Sequence, residues 1–355
     1  MRLKFRTVIS GVGGGLLGIV AGFWAATQYL APEPPPPPAG ASVEIQQAIQ
    51  AAGPVNVAAL KLMRPQTDSQ WTLLQQGVAT KIPIPFEEAA LQLDVAVERD
   101  LVAGVPVHWL TAKKERNSPG KVLFVYIHGG AYVFMGGDDG AREAAIITAT
   151  SGIDTISIDY RMPPEHPHPA AVDDVQRVYA ELLKRYPAIA IVMGGTSAGG
   201  GLTLAAVHRL KAAGLPLPAA LYLGTPWADL TKSGDTLYTL EGIDRQLGTY
   251  DGILGAAAIL YAGDTPLTDP LLSPVYGEFS DFPPSYLVSG TRDLFLSDTA
   301  RVAQKMRAAG VEVQLTVFEG LSHAEYAQVD DSPEHRQVYQ GLTMFMTKHL
   351  ATNKQ

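Results

Sequence analysis

The chain has 355 residues, a formal net charge of -8 and a sequence pI of about 5.5, with 46% hydrophobic and 17% charged residues. This composition is globular rather than disordered, and the acidic balance argues against nucleic acid as a partner, because binding phosphates needs a basic face. There is no cysteine, which excludes disulfides, thiolate zinc sites and lipid-modified cysteine.

Arg2, Lys4 and Arg6 precede an uncharged stretch over residues 7–30. Its length is near the ~20 apolar residues that span a bilayer. A secretory signal has a shorter apolar region, roughly 7–15 residues, closed by a small-x-small cleavage site. The good match to such a site, Ala39-Gly40-Ala41, lies well past the apolar stretch and behind a proline run. The pattern therefore favours an uncleaved membrane anchor over residues 1–31, with a cleaved signal and secretion as the alternative. The positive end should stay in the cytoplasm, placing the body outside it. Residues 32–41 read as a Pro-rich linker. A polyproline II rod over residues 32–38, interrupted by Glu33, would hold the body about 20 Å from the membrane at ~3.1 Å per residue.

From residue 42 to about 90, apolar residues recur at helical spacing (Ile45, Ala48, Ile49, then Leu60, Leu62, Met63), broken by Pro54 and Pro65. Short amphipathic helices are expected there. The body, residues 91–355, then alternates strand and helix. Residues 91–97 and 105–110 look like a hairpin around Gly104, and compact apolar runs follow at 122–127, 155–158, 189–193, 220–223, 286–288 and 313–318. Helical patterns lie at 141–150, 171–185, 198–213, 298–309 and 334–350. Such alternation predicts an α/β fold, with a mostly parallel eight-stranded sheet covered by helices on both faces. The segment 231–262 is too long for an ordinary connection and is assigned to a helical lid.

The central motif is Gly195-Thr196-Ser197-Ala198-Gly199, after the apolar run 189–193 and at the start of a helix rich in alanine and leucine. That strand-turn-helix context is what a nucleophile elbow demands, with small residues flanking a serine held in a tight turn. Alone the motif is weak, because Ser197 could be an ordinary helix N-cap. Support comes from His128-Gly129-Gly130-Ala131, directly after the run 122–127. Ester cleavage builds negative charge on the carbonyl oxygen, and backbone N–H groups aimed there stabilise it. His128 itself reads as a residue that shapes this loop rather than as a base.

A serine nucleophile needs a base, and the base an orienting carboxylate, in the chain order Ser, Asp or Glu, His. His323 lies just past the run 313–318, at the carboxyl end of the sheet, whereas His335 and His349 read as solvated residues of the last helix. Asp293 follows the run 286–288. Asp298 is the alternative, though it suits the N-cap or first turn of the next helix.

At this point the sequence resembles the hormone-sensitive-lipase-like branch of bacterial esterases, of the α/β-hydrolase fold. The matching stretches are HGGAY (128–132), DYRMPPEHPHPAAVDD (159–174), GTSAGG (195–200), DPLLSP (269–274), SGTRDLFLSD (289–298) and GLSHAEY (320–326). The resemblance covers roughly residues 45–350. It implies Ser197, Asp293 and His323 as a catalytic triad and the amides of Gly130, Ala131 and Ala198 as an oxyanion hole. Glu165, with His128 and Gly129, is implied to support the loops near the nucleophile. Two positions depart from the family pattern: Ala131 replaces the third glycine of HGGG, and Thr196 replaces the aspartate common before the serine.

The resemblance also implies a lid made of residues 42–86 and 231–262, which offers Trp71, Leu73, Leu74, Tyr238, Ile253, Leu254 and Tyr261 to an acyl pocket. The expected activity is hydrolysis of short-to-medium acyl esters of small molecules, through an acyl-enzyme. A lactonase, deacetylase or amidase using the same triad is the alternative, and a non-catalytic binder on the same fold is a further one. No metal or organic cofactor is expected: His166 and His168 flank Pro167, but nothing else gives ligand spacing. A homodimer is left open.

Overall fold

The computed structural model describes residues 35–79, 84–113 and 122–351. The expected anchor over residues 1–31 lies outside them. Among the described residues no helix is long and apolar enough to cross a membrane.

Eight strands form one sheet in the order β1-β2-β4-β3-β5-β6-β7-β8. β1 (Val95–Val102), β2 (Val105–Ala112) and β4 (Thr155–Ile158) pair antiparallel. β3 (Leu123–Ile127), β5 (Ile191–Thr196), β6 (Ala220–Gly224), β7 (Ser285–Gly290) and β8 (Val313–Phe318) continue parallel from β4. This is the architecture that the strand-helix alternation predicts. The central strands are buried on both faces, so they read as continuous apolar runs rather than alternating ones.

Two apolar layers cover the sheet. Leu123, Val125 and Ile127 point into one with Met193 and Leu223, against helices α6 (Ala170–Leu182), α7 (Ala198–Ala212) and α10 (Leu296–Ala308). Phe124, Tyr126, Val192 and Tyr222 point into the other, against α5 (Arg142–Ser151) and α11 (Pro333–Ala351). The strict two-residue alternation is the strand period at work.

The N-terminal helices are α1 (Val43–Ala52), α2 (Val57–Leu62), α3 (Asp68–Ala79) and α4 (Phe86–Gln92). Ser42 caps α1, its hydroxyl accepting from the Ile45 amide. Pro54 and Pro65 fall in the breaks, as the pattern predicts. Ile45 and Ile49 bury in the α11-side layer, and the Ser42 amide donates to Glu334. α1 therefore docks on the body and leaves the active-site wall to others.

Two expectations are corrected. Residues 91 and 92, expected to open the first strand of the hairpin, instead end the helix Phe86–Gln92, so the hairpin starts at Val95 and turns at Ala103 and Gly104, both at positive φ. Residues 35–38 of the proline run do not stand away from the body. The Arg292 guanidinium donates to the Pro36 carbonyl at 2.6 Å, and the Ala41 amide to Pro38. Proline lacks an N–H, but its carbonyl is a good acceptor for the buried Arg292.

The inserted segment carries α8 (Thr236–Thr239) and α9 (Ile253–Ala262), joined by the turn 240–252.

Candidate active site

β5 ends at Thr196, and Ser197 takes φ 63°, ψ -124° before α7 begins at Ala198. A non-glycine residue at such φ is strained, and surrounding structure must hold it. Here the Ser197 amide donates to the Gly224 carbonyl at 2.8 Å, and the Ser197 carbonyl accepts from Gly201 and Trp227. The flanking glycines are required sterically. A Cβ on Gly195 would lie 1.9 Å from the Ile127 carbonyl oxygen, and one on Gly199 2.0 Å from it. The Ala198 amide opens α7 and belongs to the helix's first turn, which has no intrahelical acceptors.

The loop after β3 folds onto this elbow. A Cβ on Gly129 would lie 2.8 Å from the Thr196 carbonyl, and one on Gly130 2.3 Å from that of Phe134. Gly130, Ala131 and Tyr132 all have positive φ, at 101°, 55° and 64°. Ala131 thus adopts the backbone that suits a third glycine, with its Cβ accommodated. His128 is buried and stacks on Tyr160 at 4.1 Å. Its Nδ1 donates to the Gly129 carbonyl, and its own carbonyl accepts from the Tyr160 hydroxyl. Burial holds its imidazole below the ordinary histidine value. The neutral ring braces the loop through these contacts.

Across the cavity stand the two groups after β7 and β8. Asp293 is fully buried. Its Oδ1 accepts from His323 Nδ1 at 3.0 Å and from the Phe295 amide at 2.9 Å; its Oδ2 accepts from Ser289 at 2.9 Å. His323 packs edge-on against Phe295, and its Nε2 is buried with no protein partner. Burial alone would lower this imidazole, but the Asp293 charge, its hydrogen bond and the charge of Asp244 carry it above the ordinary value.

Asp298 is buried in the first turn of α10, where its Oδ2 accepts from the amides of Ala228 and Asp229 at 3.0 and 2.9 Å. It clamps the chain after β6 instead of capping its own helix. Burial pushes its carboxyl well up, with the Asp229 charge adding to the effect. His335 and His349 are half-buried rather than solvated. The first donates to the Tyr326 carbonyl, and the second packs on Phe345.

Ser197, His323, Gly129, Gly130 and Ala131 line one cavity of about 550 Å³. Its apolar wall includes Leu60, Phe134, Leu247, Ile253 and Leu254. Of the lid residues expected there, only Ile253 and Leu254 reach it. Trp71 packs on Phe134, Tyr261 stacks on Tyr132, and Leu73 and Tyr238 point to solvent. Leu74 packs against the core.

Glu165 is not brought to the nucleophile. Its side chain is exposed and faces a separate surface cavity with Asp68, Thr72 and Gln76. The carboxylate that does reach the elbow is Glu143, from the first turn of α5. Its Oε1 accepts from Thr196 Oγ1 (2.8 Å), Tyr222 (3.0 Å) and Tyr339 (3.2 Å), and its Oε2 from Tyr126 (2.8 Å). Burial raises its pKa against these donors. Thr196, where an aspartate is common, supplies the hydroxyl that Glu143 accepts. The sequence signal was slight: a glutamate in a first turn looks like a solvated dipole partner, although Tyr126 and Tyr222 at inward positions do call for a buried acceptor.

Residues 124–327 match a family model described as alpha/beta hydrolase fold. A curated acetyl-hydrolase from Streptomyces hygroscopicus is 31% identical over 62% of this chain and 74% of its own length. The crystal structure of an esterase named E25 superposes with a TM-score of 0.84 at 42% identity, covering 90% of this chain and 98% of that one. An esterase from the bacterial hormone-sensitive lipase family superposes with a TM-score of 0.73 at 29% identity, over 87% of this chain and 99% of that one. The chain belongs to the α/β hydrolase fold family. Within it, the chain is a hormone-sensitive-lipase-like serine hydrolase that acts on carboxylic-ester bonds.

Proposed function

We propose that Ser197, His323 and Asp293 are the catalytic triad of this esterase, and that the amides of Gly130, Ala131 and Ala198 form its oxyanion hole. Ser197 Oγ attacks the ester carbonyl while His323 Nε2 takes its proton. The negative charge on the carbonyl oxygen is met by the three amides. His323 returns the proton to the leaving alcohol. Water, activated by the same nitrogen, then opens the acyl-enzyme. Asp293 fixes the tautomer and stabilises the imidazolium. The observation that carries this reading is the unpartnered, buried Nε2 of His323 in the cavity that Ser197 lines, with Nδ1 engaged by Asp293.

The raised pKa of His323 has a consequence. The base must be neutral, so kcat/KM should fall as pH drops through a value above the ordinary ~6.5 of histidine. The assignment is tested with a fluorophosphonate probe and peptide mass spectrometry. A single adduct on Ser197, formed far more slowly in His323→Ala, is expected. An adduct elsewhere with Ser197 unmodified would overturn it.

The apolar walls support short-to-medium acyl esters as the substrates. A chain-length series of nitrophenyl esters should peak below about ten acyl carbons, given pockets of this class. We propose also that residues 8–30 hold the chain at a membrane with the body extracytoplasmic, on the strength of Arg2, Lys4 and Arg6 before an uncharged stretch. Recovery of full-length chain in the soluble cytoplasmic fraction would contradict this; a form beginning near Ser42 would indicate cleavage and secretion instead.

A further inference from the structure

One buried carboxylate of the inserted segment touches both loops that carry the acid–base pair. Asp244 is fully buried. Its Oδ1 accepts from the amides of Gln246 at 2.9 Å, Leu247 at 3.1 Å and His323 at 3.4 Å. Its Oδ2 accepts from the amide of Leu294, the residue after Asp293, at 2.9 Å. The bonds to Gln246 and Leu247 are an ordinary local turn. Those to Leu294 and His323 bridge 50 and 79 residues of sequence. Leu247 and Gln246 in turn line the substrate cavity. A single side chain therefore joins the cavity wall, the Asp293 loop and the His323 loop.

We propose that Asp244 is a positioning residue, which holds the two acid–base loops in register with the lid and adds a second negative charge behind the imidazolium of His323. Hydrogen bonding alone does not require a charge here, since a buried amide side chain could serve the same turn. The groups facing Asp244 are Asp293 and His323. Outside them lie the buried Arg245–Glu325 pair, whose charges offset each other, and Arg292, which donates to the Pro36 carbonyl. Burial and then the Asp293 charge push the Asp244 carboxyl up to about 6, while His323 and the amides of Leu294 and Leu247 oppose the rise. Asp244 is thus mostly ionised at neutral pH. The dependence is mutual, because its charge helps raise His323.

The sign follows. Without the Asp244 charge the His323 imidazole loses one of the influences that raise its pKa. It then stays neutral to lower pH, and the acid limb of kcat/KM moves down. A residue that only stabilised the fold would lower the rate by one factor at every pH and leave the limb in place.

The experiment compares kcat and kcat/KM against pH for full-length wild type, Asp244→Asn and Asp244→Glu on a soluble short-chain ester, with thermal melts to confirm folding. Asp244→Asn should lose about tenfold or more in kcat through loosened geometry, with its acid limb lower by roughly half a pH unit or more. Asp244→Glu keeps the charge and displaces it, so kcat should fall while the limb stays near wild type. An Asp244→Asn profile that superimposes on wild type after scaling overturns the proposal. If Asp244→Asn does not fold, wild-type kcat in Asp244→Glu overturns it equally. The proposal rests on the triad assignment, which His323→Ala tests separately. A folded and active His323→Ala would sink the triad. An inactive one, beside an Asp244→Asn with an unmoved limb, sinks only the role given to Asp244.

Discussion

On the Ser197 side of the cavity the chain approaches itself backbone to backbone. Gly195 and Gly199 lie against the Ile127 carbonyl, Gly129 against that of Thr196, and Gly130 against that of Phe134. On the His323 side one backbone approach of this kind recurs, Gly290 against the Leu321 carbonyl, and the rest is made by side chains. Asp293, Ser289, Asp244, Arg245 and Glu325 bind loops from the sheet and the insert through hydrogen bonds and one buried ion pair. The two constructions should fail differently. A backbone contact admits no substitution, whereas a hydrogen-bonded network loses function in steps as acceptors or charges are removed.

The largest effect should come from adding one carbon on the backbone side. Gly195→Ala places its Cβ within the radius of the Ile127 carbonyl and should cost about 3 kcal/mol or more. Chemical denaturation would read this as a lower midpoint, or as failure to accumulate folded protein. Normal stability in that variant would break the comparison.

A smaller effect is expected beneath the elbow, where the two constructions meet. Glu143→Gln keeps one carbonyl acceptor for the hydroxyls of Thr196, Tyr126, Tyr222 and Tyr339 but loses the second oxygen and the charge. Stability should fall by about 1–3 kcal/mol. Turnover should fall about tenfold, because Ser197 is held by the strand that Thr196 ends. An unchanged kcat would show that the elbow keeps its geometry without Glu143.

The same contrast explains what could be read from the sequence. Glycines at close approaches leave a local, spaced signature. The elbow, the loop after β3 and the parallel strands were legible for that reason, and His323 and Asp293 from their places just past strands. Glu143 and Asp244 carry no such signature. Each is a single acidic residue in a helix or turn; the partners of Glu143, and the Leu294 and His323 amides that Asp244 accepts from beyond its own local turn, come from segments far along the chain. Glu165 misled in the opposite sense: it lies in a recognisable stretch, yet its side chain faces solvent. The proline run read as a free spacer because nothing local announces that Arg292 will take the Pro36 carbonyl. Asp298 read as a cap, since its spacing from the helix start is right, but its acceptors serve Ala228 and Asp229.

The proposed triad takes Asp293, and not Asp298, as its carboxylate. The most direct measurement is turnover of Asp293→Asn and Asp298→Asn, both verified as folded by circular dichroism and thermal melts. Asp293 holds the His323 imidazole through Nδ1, so Asp293→Asn should lose roughly a thousandfold or more in kcat by presenting the wrong tautomer. Asp298 accepts both of its amide hydrogen bonds at Oδ2 and none at Oδ1, so the carbonyl of an amide side chain can serve the same two donors. Asp298→Asn should keep kcat within about threefold and lose about 1 kcal/mol of stability. An inactive, folded Asp298→Asn beside a near-normal Asp293→Asn would contradict the account.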